Sequence, residues 1–142
     1  MSDFALDPRL AADTVAVTEL PLSSLLMMRD GNYPWLILVP RRAGAVEILD
    51  LEPADRARLW REVEAVAAAL RAETGADKLN VAALGNVVAQ LHVHVVARFR
   101  GDAAWPAPVW GRVAATPLDA ARAGALSDGL RRRLAAEREA TP

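Results

Sequence analysis

Asn86-Val87-Val88-Ala89-Gln90-Leu91-His92-Val93-His94-Val95-Val96-Ala97-Arg98 decides how this chain is read. It contains both histidines of the protein, two residues apart within a β-branched run. Successive side chains of a strand alternate between its faces. Read as one strand, the stretch turns Gln90, His92 and His94 to one side. It turns Leu91, Val93 and Val95 to the other, where they can enter a core.

Outward from this stretch, the chain alternates strand-like and helical segments. Lys78 to Ala83 reads as a strand, and Leu84-Gly85-Asn86-Val87 as the turn leading into the histidine strand, which runs to Phe99. Upstream, Leu59, Val63, Val66 and Leu70 repeat at helical spacing, opened by Pro53 and closed by Gly75. Trp35 to Val39 is a continuous apolar run of strand length ending at Pro40. With Leu22 to Met28 and the turn Arg29-Asp30-Gly31-Asn32 it forms a hairpin. Thr14 to Leu20 alternates weakly, Met1 to Leu10 has loose helical spacing, and Val46 to Leu49 is a short strand or connector.

Downstream, Pro106 and Pro108 forbid a central strand or helix between Ala103 and Gly111. Thr116-Pro117-Leu118-Asp119 reads as a helix start capped by the threonine. Leu126, Leu130 and Leu134 give that helix its apolar stripe, and Thr141-Pro142 reads as its frayed end. These elements make an α+β fold, an antiparallel sheet with two main helices.

Composition narrows the function. The 142 residues are 53% apolar and 25% charged, values that suit one globular domain. A net charge of −1 provides no field for nucleic acid or anionic lipid. The absence of cysteine removes disulfides, thiolate metal sites and cysteine nucleophiles. No apolar run is long enough for a bilayer, and no basic segment precedes an apolar one near the N-terminus. A cytoplasmic location, with no nucleic-acid or membrane partner, is the expectation.

Two alternating histidines allow three readings. The bland one is a pair of satisfied, partly buried side chains. A metal site is the second, since neutral imidazoles suit zinc, copper or iron. It needs further ligands, and with no other histidine or cysteine these must be distant Asp or Glu. The third is nucleophilic attack on phosphorus. An imidazole with one nitrogen fixed by a hydrogen bond presents a lone pair on the other near neutral pH. The second imidazole, or the amide of Gln90 or Asn86, then meets the phosphate oxygens.

Gln90-Leu91-His92-Val93-His94-Val95-Val96 resembles the histidine-triad motif of the HIT family, in which three histidines alternate with apolar residues. The strand Trp35 to Pro40, the helix after it, the strand with Asn80, the Gly85-Asn86 turn and the segment Ala104 to Gly111 agree. The last resembles bacterial HIT proteins with Gln-x-His-x-His at the motif. The resemblance implies a HIT-like fold of about five antiparallel strands and two main helices, as one domain over residues 1–142, with the core at about 22–111 and the C-terminal helix at about 117–137.

It also implies a homodimer that hydrolyses or transfers nucleotides at the α-phosphate, with no cofactor and no metal in the chemical step. His92 takes the nucleophile position and His94 the phosphate-contacting one. Gln90 departs from the motif's first histidine, keeping the backbone carbonyl that orients the attacking ring while losing the imidazole. Asn86 and Asn80 match phosphate-side polar groups. Asp30 and Asn32 stand where ribose hydroxyls are often held, although turn formation alone explains them equally. Arg41, Arg42, Arg98 and Arg100 read as solvated strand ends, and Trp105 and Trp110 as structural. The alternative to an enzyme is a nucleotide-binding or regulatory module whose turnover Gln90 has weakened.

Overall fold

A computed structural model describes residues 3–140; the frayed end expected at Thr141-Pro142 lies outside them. Five strands form one sheet: β1 (Thr14–Glu19), β2 (Ser23–Met28), β3 (Trp35–Pro40), β4 (Lys78–Ala82) and β5 (Val93–Arg98). Their order is β1-β2-β3-β5-β4, and every neighbouring pair is antiparallel. Three α-helices accompany them, α1 (Pro8–Asp13), α2 (Pro53–Thr74) and α3 (Ala120–Ala140). This is the α+β architecture expected.

Sheet alternation distributes the core between two faces. Leu25, Leu36, Leu38, Val93 and Val95 meet Leu59, Val63, Val66 and Leu70 of α2 and Leu130 and Leu134 of α3. Fully burying each such leucine or valine stabilises by about 1.5–3 kcal/mol, so this face anchors the sheet. The opposite face holds Leu26, Trp35, Ile37, Val39 and Val96, covered by Leu10, Tyr33, Ala104 and Val109. Among the described residues no helix lies there beyond short α1. The covering consists of the N-terminal segment and the chain after β5, and the site lies on this face.

The structure differs from the sequence reading in several places. The histidine strand begins at Val93, not Asn86. β3 pairs with β5 only between Leu38↔Val93 and Trp35↔Val96, and β4 joins no earlier than Ala82↔His94. Upstream of Val93 neither neighbour offers a ladder. β3 ends at Pro40, which has no N–H to give, and Gly85 turns the chain at φ 74°. Residues 86–92 are therefore a loop, pinned where Leu91 N–H donates to Ala45 O at 3.0 Å.

Of the two readings of Val46 to Leu49, strand or connector, the structure has the connector, with a 3-10 turn at Ile48–Asp50. The last helix begins at Ala120, capped by Asp119, whose carboxylate accepts from Ala121 N and Arg122 N. Thr116, the expected cap, bonds the β2–β3 turn through its backbone instead: its carbonyl accepts from Gly31 N, and its N–H donates to the Asp30 carboxylate. α1 owes its start to Asp7, which accepts from Arg9 N, and to Pro8 in the first turn. Among the described residues no helix is long and apolar enough to cross a membrane.

Candidate active site

His94 lies on β5 opposite Ile37, on the sheet face away from α2. Trp35 Nε1–H donates to His94 Nδ1 at 2.9 Å. An indole nitrogen can only donate, so Nδ1 is an acceptor and the ring proton sits on Nε2. The ring is 5% exposed and packed between Trp35 and Trp110, with centroids 5.7 and 5.1 Å away. Desolvation, reinforced by the neighbouring His92, lowers its pKa to about 4. His94 is a neutral donor at physiological pH.

His92 precedes the strand, and its ring packs edge-on against His94 with centroids 4.9 Å apart. Its Nδ1 lies 2.7 Å from the backbone carbonyl of Gln90. A carbonyl can only accept, so here Nδ1 carries the proton and Nε2 keeps its lone pair. The two rings thus hold opposite tautomers: His92 has a free lone pair at Nε2, and His94 an N–H at Nε2. Beside His92 a pocket of about 210 Å³ opens, with Val46, Ile48, Leu49, Ala83 and Leu84 in its walls.

Gln90 contributes its carbonyl to this arrangement, while its side chain points elsewhere. The amide oxygen accepts from Asp7 N at 2.9 Å, and the amide nitrogen donates to Ala5 O at 2.9 Å. Asn86 is exposed on the loop ahead of the histidines. Asn80 lies on β4 and accepts from Arg98 Nη1 at 2.8 Å. Asp30 and Asn32 are not brought to the histidines. Asp30 accepts from Asn32 N at 2.9 Å and Asn32 Nδ2 donates to Ala114 O at 3.0 Å. Both line a cavity of about 680 Å³ that includes neither imidazole. The first of these bonds forms the turn, and the second ties the turn to the chain before α3.

Arg98 corrects a further expectation, since it is 1% exposed rather than solvated. Its Nε and Nη2 donate to Asp102 at 2.7 and 3.0 Å, and Nη2 also donates to Ala107 O at 2.8 Å. Tyr33 and Trp105 stack near the guanidinium at 5.7 and 5.6 Å. The hydrogen bonds from Arg98 hold the Asp102 carboxyl down at about 2, and Asp102 in turn keeps Arg98 more firmly protonated. This ion pair fixes the segment that carries Trp110 to His94. Trp35 and Trp110 are the site residues that sequence reasoning missed. Only the β3–β5 register, a contact 59 residues apart, reveals the first.

Among the described residues no three His, Cys, Asp or Glu side chains are grouped to hold a metal ion.

A five-stranded antiparallel sheet presenting a Gln-x-His-x-His segment, its nucleophile candidate oriented by the carbonyl two residues earlier, defines a histidine-triad class of protein. Comparison agrees. The HIT domain family model matches residues 9–101, and the chain belongs to that family. It is similar to a histidine triad protein of Bradyrhizobium japonicum at 50% identity and TM-score 0.91, covering 92% of this chain and 98% of that one. One from Sinorhizobium meliloti is 44% identical (TM-score 0.90, coverage 94% and 98%). Another from Marinobacter aquaeolei is 43% identical (TM-score 0.88, coverage 92% and 96%). No curated protein matches the chain.

Proposed function

We propose that the protein is a nucleotide hydrolase or nucleotidyl transferase acting at an α-phosphate through a covalent nucleotidyl-His92. The observation that carries this reading is the 2.7 Å bond from His92 Nδ1–H to Gln90 O, which leaves Nε2 as a lone pair beside the Nε2–H of His94. Nε2 of His92 forms a bond to the α-phosphorus as the bond to the leaving group breaks, and the leaving group departs with the electron pair and takes up a proton from solvent, to which the attacking water of the next step returns one. Water then attacks phosphorus, breaking the P–N bond, returning the pair to Nε2 and releasing a nucleoside monophosphate.

Each neighbour has work in that sequence. During attack, positive charge develops on His92, and the Gln90 carbonyl faces it. His94 donates to a phosphate oxygen without carrying a charge that would oppose the one growing on His92. The pocket at His92, lined by Val46, Ile48, Leu49 and Leu84 with Glu47 as its one acidic residue, seats the part of the substrate away from the phosphate. Gln90 retains the carbonyl function whatever its side chain does, which favours turnover over the binding-module alternative. A homodimer in the cytoplasm remains part of the proposal.

The test is product release from adenosine phosphoramidate and dinucleoside polyphosphates, with EDTA present, by wild type and His92→Ala. The expected result is nucleoside monophosphate from wild type only. Nucleotide binding without release by either protein would favour the binding module.

A further inference from the structure

We propose that Gln90 is a positioning residue, whose side-chain amide latches the N-terminal segment, residues 3–7, against the sheet face that carries His94. The inference rests on the reaction above only for its kinetic consequence.

The bonding pattern is specific. Gln90 Oε1 accepts from Asp7 N and Gln90 Nε2 donates to Ala5 O, both at 2.9 Å. These two backbone groups bracket Leu6, and a single residue of a parallel neighbouring strand pairs with a chain in the same way. An amide matches because its oxygen and nitrogen leave one carbon side by side. Imidazole nitrogens diverge across a ring and cannot serve both groups at once. Glutamine at the first motif position is therefore a different device, not a weakened histidine.

The latch acts on something placed at the site. Phe4 and Leu6 are half-buried while Asp3 and Ala5 are exposed, so the segment turns alternate side chains inward. The inward pair packs against the hydrophobic cluster that includes Trp35, Ile37 and Val96, the same cluster against which Val88 and Trp110 pack. Trp35 and Trp110 are the two rings that hold His94. One residue thus orients the nucleophile with its backbone and fixes a wall of the same face with its side chain. Removing the amide leaves the carbonyl in place. Substrate binding should weaken while the chemical step is spared.

The experiment combines residue-resolved amide exchange with kinetics on Gln90→Ala, Gln90→His and Gln90→Glu. In Gln90→Ala and Gln90→His the Asp7 amide should exchange about tenfold faster, the worth of one such hydrogen bond, with β5 amides unchanged. KM should rise about tenfold with kcat held within about twofold. Gln90→Glu keeps the acceptor for Asp7 and should fall between. Phe4→Ala combined with Gln90→Ala should add little to either alone, because both act through the same segment.

Unchanged Asp7 exchange in Gln90→Ala would overturn the latch. So would a fall in kcat at constant KM, which would put the amide in the chemistry, or full additivity with Phe4→Ala. If the wild-type protein turns over no nucleotide, the reaction proposed above fails by itself; the exchange data still decide the latch, with nucleotide Kd in place of KM.

Discussion

Replacing Asp102 by asparagine changes one charge at nearly constant shape. The Asp102 and Arg98 side chains are 5% and 2% exposed. Besides two bonds from Arg98, the carboxylate accepts from Phe99 N at 3.1 Å, Ala104 N at 3.1 Å and Trp105 N at 2.8 Å. An amide keeps one acceptor oxygen and turns an N–H toward a donor, leaving the Arg98 charge buried without its counterion. Two routes give the magnitude. The carboxyl titrates at about 2 in the fold against 3.8 free, and each tenfold in proton affinity is worth about 1.4 kcal/mol, hence roughly 2–3 kcal/mol. Breaking one side of a buried pair typically costs about 3–5 kcal/mol. We expect about 3 kcal/mol, a Tm lowered by on the order of 10 °C for a chain of this length.

Urea unfolding followed by far-UV circular dichroism measures this directly. A depressed carboxyl pKa stabilises above the unfolded value, and that stability is lost as pH falls through the folded value. The gap between wild type and Asp102→Asn should therefore be full at pH 7 and close between pH 3.8 and about 2. A gap below about 1 kcal/mol at pH 7 would refute the argument, because it would mean that the Arg98 guanidinium is not desolvated.

Other expectations follow from the tautomers. Nitrogen chemical shifts should report Nδ1–H on His92 and Nε2–H on His94; the same tautomer on both rings would contradict the site as described. Trp35→Phe removes the donor to His94 Nδ1, and leaving that buried acceptor unsatisfied should cost about 1–3 kcal/mol in urea unfolding. His94 itself, held near 4 against 6.5 free, contributes stability that is present above pH 6.5 and lost as pH falls toward 4. That loss amounts to about 3 kcal/mol, should be absent from His94→Asn, and lies in a window above that of Asp102.

Local pattern made much of this legible. The apolar run at Trp35, the spacing of Leu59 to Leu70 and the Gly75 stop required only neighbouring residues, and each stands where it was expected. The histidine pair was legible for the same reason. Its strand starts later than the pattern alone predicts because a strand ends where its partners end, and Pro40 and Ala82 are far off in sequence. Arg98 reads as a solvated charge until Asp102, Asn80 and Ala107 converge on it, a matter of tertiary packing. The carbonyl role of Gln90 is legible in the motif, but its amide reads as a phosphate contact, since nothing near it foretells the backbone of Ala5 and Asp7, more than 80 residues away. Asp30 and Asn32 close their own turn and also hold the chain before α3, at Ala114 and Thr116, a contact that no local pattern announces.

The most direct test of the account is the covalent intermediate. Wild-type protein mixed with adenosine phosphoramidate, quenched in base within a turnover and digested, should yield one peptide carrying a nucleoside monophosphoryl group on His92. His92→Ala should yield none. An adduct on His94 or another residue, or wild-type rates of product release from His92→Ala, would contradict it.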